Sequence, residues 1–153
     1  MLSLFAALML ISKEALAALP NIELVTVLII LLTDKLGLKS LWSVYIFVGV
    51  QFLIYPSGMW LWSYSYVWAI LVLVVRAVRR FGNLMLYTIV AGLFGILFGV
   101  LCSPPAFLAG GFGYGVSWIV TGLTFDVIHC IGNILTTALL FYPLHKALDS
   151  AFK

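Results

Sequence analysis

Charged residues are scarce in this sequence, which has 153 residues but only 8 Lys or Arg and 5 Asp or Glu. Charged residues make up 8% of the chain and hydrophobic residues 65%, whereas a soluble domain is about one quarter charged. A domain of this size has no interior large enough to bury so much hydrophobic surface. The composition therefore excludes a soluble globular enzyme, a disordered protein and a nucleic-acid-binding protein, and it predicts an integral membrane protein.

The motifs of common catalytic and metal sites are also missing. Cys102 and Cys130 fit neither a disulfide framework nor a CxxC metal pattern. The sequence contains no Walker A, HExxH or GxSxG motif. We therefore expect no catalytic residue, no metal site, no cofactor and no ATP hydrolysis by this chain alone. A membrane enzyme that uses Asp126 and His129 stays open, although only their spacing favours it.

Six apolar runs have the character of transmembrane helices, each of which needs about 20 residues. They predict an all-α membrane protein, a compact bundle of six transmembrane helices forming one domain over residues 1–153, with five spans as the alternative. We expect Gly115–Thr121 to be a separate interfacial or re-entrant piece, so that Thr124 is the N-cap of the last helix. The runs are Leu2–Ala18, Ile22–Leu36, Leu41–Tyr55, Met59–Val78, Leu84–Leu101 and Thr124–Leu144.

The basic residues predict the orientation, because Lys and Arg mark cytoplasmic loops. With the N-terminus and C-terminus both cytoplasmic, seven of the eight basic residues lie inside, and Lys13 is the exception. A signal peptide is the competing interpretation of residues 1–20, since Ala15-Leu16-Ala17 resembles a cleavage site. That run has no positive n-region, however, and Lys13-Glu14 interrupts it.

Polar residues within the spans gather in the half nearer the outside. Asp126, His129 and Asn133 follow an i, i+3, i+7 spacing, which places them on one helix face. Glu14 and Gln51 lie at a similar depth in spans 1 and 3. Ionisable residues inside a membrane are functional hypotheses by default. Because the inner half has no comparable cluster, the pattern predicts a pocket open to the outside and closed beneath.

Aromatic residues of span 4 are expected to form one wall of this pocket. Trp60, Tyr64 and Trp68 share a helix face, and Trp118 can cover the pocket from the outer segment. Flat aromatic walls with a few directed polar groups suit a heterocyclic ligand. The predicted substrate-binding residues are Glu14, Gln51, Tyr64, Trp68, Trp118, Asp126, His129 and Asn133.

Structural interpretations of the same residues stay open. The aromatic residues fit an interfacial belt, and Asp126 and His129 fit a polar clamp between helices. Glu23 can favour the positive end of span 2, with Asn21 as its cap. Adjacent residues do not share a helix face, so only one of Lys13 and Glu14 is expected to enter the pocket.

Three segments resemble the substrate-binding S components of energy-coupling factor (ECF) transporters, in particular their short members. These segments are Pro20–Thr26, Leu61–Trp68 and Gly122–Asn133. The resemblance implies a bacterial plasma-membrane protein that binds a vitamin or related micronutrient in an outward-facing pocket. It also implies docking on a membrane T component that carries two cytoplasmic ATPase subunits. The docking face would be Ser3, Ala7 and Ala15, although Ile11 departs from the family's small-residue pattern.

Two rival functions belong to other classes. The rod-shape protein MreD is thought to share this helix arrangement while serving as a membrane scaffold without transport activity. The other rival is a self-sufficient carrier or a membrane enzyme. The sequence does not distinguish pyridine, pyrimidine, thiazole and deazapurine rings as ligands.

Overall fold

A computed structural model describes residues 2–55 and 58–151 of the chain. The structure is 88% helix, and no strand occurs among these residues. The all-α prediction is therefore confirmed. Three helical stretches are long and apolar enough to cross a membrane, which indicates a membrane protein: Val25–Ile54, Trp60–Phe81 and Pro104–Ser150.

Seven α-helices and two short 3-10 turns make up the described chain. The first stretch named above contains two helices, because the chain turns at Gly37, whose φ is 60°. The 3-10 turns are Gly37–Lys39 and Arg79–Phe81. The helices are α1 (Leu2–Ala15), α2 (Val25–Leu36), α3 (Ser40–Ile54), α4 (Trp60–Val78), α5 (Leu84–Ile96), α6 (Phe98–Leu101) and α7 (Pro104–Ala151).

Helix α2 is the centre of the bundle. Every residue from Val25 to Thr33 is buried, and α1, α3, α4, α5 and α7 all contact this helix. A helix that is apolar on all sides is stable only when protein or lipid surrounds it. The long run of Val, Leu and Ile in α2 therefore explains why its neighbours pack around it.

Helices α1 and α3 lie side by side and run in the same direction. The Ser43 hydroxyl donates to the carbonyl of Leu2 at 2.7 Å, and Gln51 Nε2 donates to Glu14 Oε1 at 3.4 Å. The first contact joins the starts of the two helices, and the second joins their ends. This pairing fixes the C-terminal end of α1 beside the C-terminal end of α3.

Glycines allow α5 and α6 to pack tightly against α7. A Cβ added to Gly92 would lie 2.9 Å from Ile134, and one added to Gly95 would lie 2.7 Å from the backbone nitrogen of Cys130. A Cβ at Gly99 would collide with the carboxylate of Asp126. The segments are antiparallel, because the contact residues on α7 run backward from Ile134 to Asp126 while those on α5 and α6 run forward from Gly92 to Gly99. Gly95 and Gly99, four residues apart, therefore form a close-packing pair of small residues.

The expected helix start at Thr124 is wrong. Helix α7 continues through this residue, and its interruption lies at Gly111, whose φ of 72° and ψ of −169° are not helical. A positive φ of this kind favours glycine. Because residues 112–123 are already helical, the backbone amides that a cap at Thr124 would serve have partners within the helix.

One end of the bundle carries a network of charged and polar side chains. Tyr87 donates its hydroxyl hydrogen to Asp34, and His145 Nε2 lies 3.7 Å from the same carboxylate. His145 Nδ1 lies 3.2 Å from Asp149, which also pairs with Lys35 at 2.6 Å. The network joins α2, α5 and α7 at the end we call the basic end, which holds Lys35, Lys39, Arg76, Arg79, Arg80 and Lys146.

Candidate functional site: a two-chamber cavity opposite the basic end

A first chamber lies where α2 begins, at the end of the bundle opposite the basic end. Its volume is about 240 Å³. Its floor and walls combine aromatic rings with four polar or charged side chains. The lining includes Lys13, Asn21, Glu23, Tyr64, Trp68, Phe98 and His129.

A second chamber of about 400 Å³ adjoins the first. Asn21, Tyr64 and Phe98 line both chambers, so these three side chains form the boundary between them. The second chamber alone falls within the usual range for small-molecule sites, roughly 300–1,000 Å³, and the first is slightly smaller. The second chamber is further lined by Trp60, Gly99, Cys102, Trp118, Thr121, Gly122, Phe125 and Asp126.

Helix α4 places three aromatic rings along the cavity. Trp60 and Tyr64 pack edge to face with centroids 4.9 Å apart, and Tyr64 and Trp68 do the same at 5.4 Å. The i, i+4 spacing read from the sequence therefore gives one continuous aromatic stripe. Trp68 is 2% exposed, and its Nε1–H has no hydrogen-bond partner among the described residues.

Glu23 and His129 meet in the first chamber. The Glu23 carboxylate accepts from the Thr26 amide at 2.9 and 3.2 Å, which satisfies a free N–H at the start of α2. His129 Nε2 lies 3.4 Å from Glu23 Oε1. Since a carboxylate accepts, Nε2 is the donor in this contact. Nδ1 is buried and has no partner within residues 2–55 and 58–151.

Sequence reasoning left Glu23 out of the candidate site. The interpretation of Glu23 as a group at the positive end of α2 is borne out, whereas Asn21 is not the cap: Leu24 occupies the N-cap position. The signal that could have placed Glu23 in the site was its position at the outer end of span 2, on the same side of the membrane as His129 in the span assignment.

Asp126 holds the opposite side of the cavity. Its Oδ1 accepts from the backbone amide of Gly99 at 3.0 Å, and its side chain lines the second chamber. Only 5% of this residue is exposed. Because α7 is helical from Gly113 onward, Asp126 and His129 lie one turn apart on the face that packs against α5 and α6.

Lys13 and Glu14 contact each other, with Lys13 Nζ 3.3 Å from Glu14 Oε1, but only one of them lines the cavity. Lys13 lines the first chamber. Glu14 turns toward α3, where it accepts from Tyr55 Oη at 2.7 Å and from Gln51 Nε2 at 3.4 Å. Glu14 and Gln51 lie outside the lining of both chambers.

Asn133 lies deeper, between helices. Its amide donates to Thr26 Oγ1 at 3.4 Å and to the Ala91 carbonyl at 3.3 Å, and it is fully buried. It lines neither chamber. This placement agrees with a polar clamp joining α2, α5 and α7.

The docking residues named from the sequence lie on the exposed side of α1. Ser3, Ala7 and Ala15 are all exposed, and Ile11 between them is 64% exposed. The opposite side of the helix, with Met9 fully buried, packs into the bundle. The eight predicted binding residues thus divide into five that line the cavity and three that support it: Tyr64, Trp68, Trp118, Asp126 and His129, against Glu14, Gln51 and Asn133.

No group of three or more His, Cys, Asp or Glu side chains arranged to hold a metal ion occurs in the described part of the chain. Comparisons of this chain with protein-family models, with curated proteins and with solved structures find no match.

Proposed function

We propose that this chain is the substrate-binding S component of an ECF-type importer for a vitamin-like heterocycle. In this proposal six segments span a bacterial plasma membrane, both termini are cytoplasmic, and the cavity faces outward. The observation that carries the proposal is the two-chamber cavity at one end of the bundle. Its aromatic walls and few polar groups have the composition of a small-molecule site.

The packing below the cavity supports binding over conduction. Val27 through Leu32 of α2 are buried, and Val67, Leu71 and Val72 of α4 pack into the same apolar core. An ion or proton path needs polar groups through the whole membrane thickness. A chamber above an apolar core holds a ligand until the protein changes conformation.

Release to the cytoplasm then requires a partner, because the chain has no Walker A motif. In this proposal the T component and its two ATPases supply the energy, and α1 docks on the T component. Small side chains such as Ser3 and Ala7 support this role, since they allow another helix to approach closely within lipid.

Mass spectrometry of small molecules that co-purify with the protein tests the proposal. We expect a heterocyclic compound to co-purify with the wild type and to be lost in His129→Ala, because that change removes a cavity wall. The matched control is His145→Ala at the basic end, which should retain the compound. Expression with a T component and two ATPases should then give ATP-dependent uptake. Loss of the compound in both variants, or absence of any compound, contradicts the proposal.

One observation favours the scaffold alternative, in the manner of MreD. Asn133 joins three helices, and one oxygen of Asp126 binds the Gly99 backbone, so part of the polar cluster serves packing. A scaffold would co-purify with wall-synthesis proteins instead of with ATPase subunits.

A further inference from the structure

The charges of the molecule are divided unevenly between its two ends. The basic end holds six Lys and Arg residues of the described chain, together with Asp34 and Asp149. The cavity end has three carboxylates and one ammonium group: Glu14, Glu23, Asp126 and Lys13.

The single ammonium group is already matched. Lys13 Nζ lies 3.3 Å from Glu14 Oε1 and 4.9 Å from the centre of the Tyr55 ring. Glu14 therefore balances Lys13 beside α3. Glu23 and Asp126, one in each chamber, are left without a Lys or Arg partner among the described residues.

Backbone amides fix these two carboxylates in place and carry no counter-charge. Glu23 accepts from Thr26 N, and Asp126 accepts from Gly99 N. An uncompensated charge in a poorly hydrated site is costly, whereas a bound counter-charge offsets that cost. Even if His129 were protonated, its charge would balance only one of the two carboxylates.

The cavity walls add a second, independent feature. Tyr64 and Phe98 separate the chambers, and aromatic faces attract cations. Trp68 and His129 are 2% and 3% exposed and line the first chamber, and Nε1–H of Trp68 and Nδ1 of His129 have no described partner. Both atoms are shielded from the chamber in this conformation, so a ligand with hydrogen-bonding groups on its edge pairs with them once these side chains rotate toward it.

We infer that the cavity selects a planar heteroaromatic cation with a hydrogen-bonding edge, held between Glu23 and Asp126. This inference rests on the proposed binding function and adds the charge class of the ligand. A delocalised organic cation fits better than a metal ion, because the acidic groups are dispersed over two chambers and no cluster with metal-ligand geometry occurs in the described residues.

Three pyridine compounds of matched size test the inference: 1-methylnicotinamide, a cation; nicotinamide, which is neutral; and nicotinate, an anion. Tryptophan quenching of the purified full chain measures their affinities, and mass spectrometry measures the charge of any co-purifying compound. We expect the cation to bind about tenfold tighter than nicotinamide, and nicotinate to bind most weakly. We expect any co-purifying compound to be cationic.

Isosteric variants assign the preference to the two carboxylates. Asp126→Asn and Glu23→Gln should each reduce the preference for the cation to about threefold or less, because each removes one counter-charge while keeping an acceptor oxygen. Asp149→Asn at the basic end is the matched control and should leave the preference unchanged.

The outcomes separate the inference from the function on which it rests. Equal or tighter binding of nicotinamide or nicotinate, or a co-purifying compound without positive charge, overturns the inference and leaves the binding function intact. If no compound binds and none co-purifies, both fall. An unchanged preference in both isosteric variants also overturns the assignment to Glu23 and Asp126.

Discussion

The cavity end and the basic end both hold buried or half-buried polar groups, but they use them differently. At the basic end the groups satisfy one another: Lys35 pairs with Asp149, and Tyr87 donates to Asp34. At the cavity end, Trp68 and His129 each keep a buried polar atom without a described partner.

The two ends therefore differ in how completely their polar groups are paired within the chain. A buried polar atom without a hydrogen bond costs about 1–3 kcal/mol. The groups of the basic end avoid that cost within the chain, whereas Trp68 and His129, which line the first chamber, each keep one such atom. An unpaired buried atom does not by itself mark a ligand site, because Gln51 Oε1, Asn133 Oδ1 and Thr137 Oγ1 also have no described partner and lie outside both chambers.

The largest effect is expected where the backbones of α5 and α7 touch. Gly95→Ala should lower the free energy of unfolding by about 2 kcal/mol, because its Cβ would press on the Cys130 backbone, which cannot move aside as a side chain can. It should also weaken ligand binding, since His129 is displaced with that backbone. Unfolding in mixed detergent micelles and tryptophan quenching measure the two effects.

Gly49→Ala is the matched control for this substitution. Gly49 lies within α3, and a Cβ added there meets no atom within 4 Å. Alanine is favoured over glycine in a helix by about 1 kcal/mol, so this variant should be as stable as the wild type or more stable. Equal losses in both variants would mean that the α5–α7 contact does not limit stability.

A smaller effect is expected at the basic end, and it should be confined to stability. Tyr87→Phe removes the hydroxyl that donates to Asp34 but keeps the ring, which packs 5.2 Å from the Phe141 ring. We expect a loss of about 1.5 kcal/mol, the lower end of the range for a hydrogen bond to a charged group. Ligand affinity measured by tryptophan quenching should stay within about twofold of the wild type, a change near 0.4 kcal/mol.

A large loss of affinity in Tyr87→Phe would contradict the functional separation of the two ends. It would indicate that the network at Asp34 communicates with the chambers through α2. His145→Phe then serves as a second measurement, because it removes another member of the same network at the basic end.

The fold class and the aromatic stripe were readable from the sequence because each depends on local pattern. Trp60, Tyr64 and Trp68 recur at i, i+4, and a helix places them on one face whatever its neighbours do. The same holds for the glycines of α5, whose small size has no use in an isolated helix but allows close packing.

The side-chain contacts within the site depend on how neighbouring helices are rotated about their axes, which the local sequence does not determine. Glu14 and Lys13 differ by one residue, yet the choice between them is set by Gln51 and Tyr55 of α3, which draw Glu14 away from the chamber. Glu23 reaches the cavity only because α7 brings His129 beside the start of α2. Such pairings between distant segments leave no periodic signal in one sequence.

The smallest effect on stability is expected at the helix caps, where a cap present in the structure can be compared with one that was only predicted. Asn83 is the N-cap of α5, and its side chain accepts from the Leu86 amide at 2.9 Å. Asn83→Ala should therefore lower stability by about 1 kcal/mol. Thr124 has the residue type of a cap but lies exposed within α7, so Thr124→Ala should change stability by less than about 0.5 kcal/mol. Thermal unfolding of the two variants in one detergent compares them directly.

A loss at Thr124 equal to that at Asn83 would mean that α7 begins at Thr124. Asp126 and His129 would then lie in the first turns of a separate helix. Their alignment with Gly99 and Gly95 would no longer follow from one continuous helix, and the geometry of the cavity end would need another explanation.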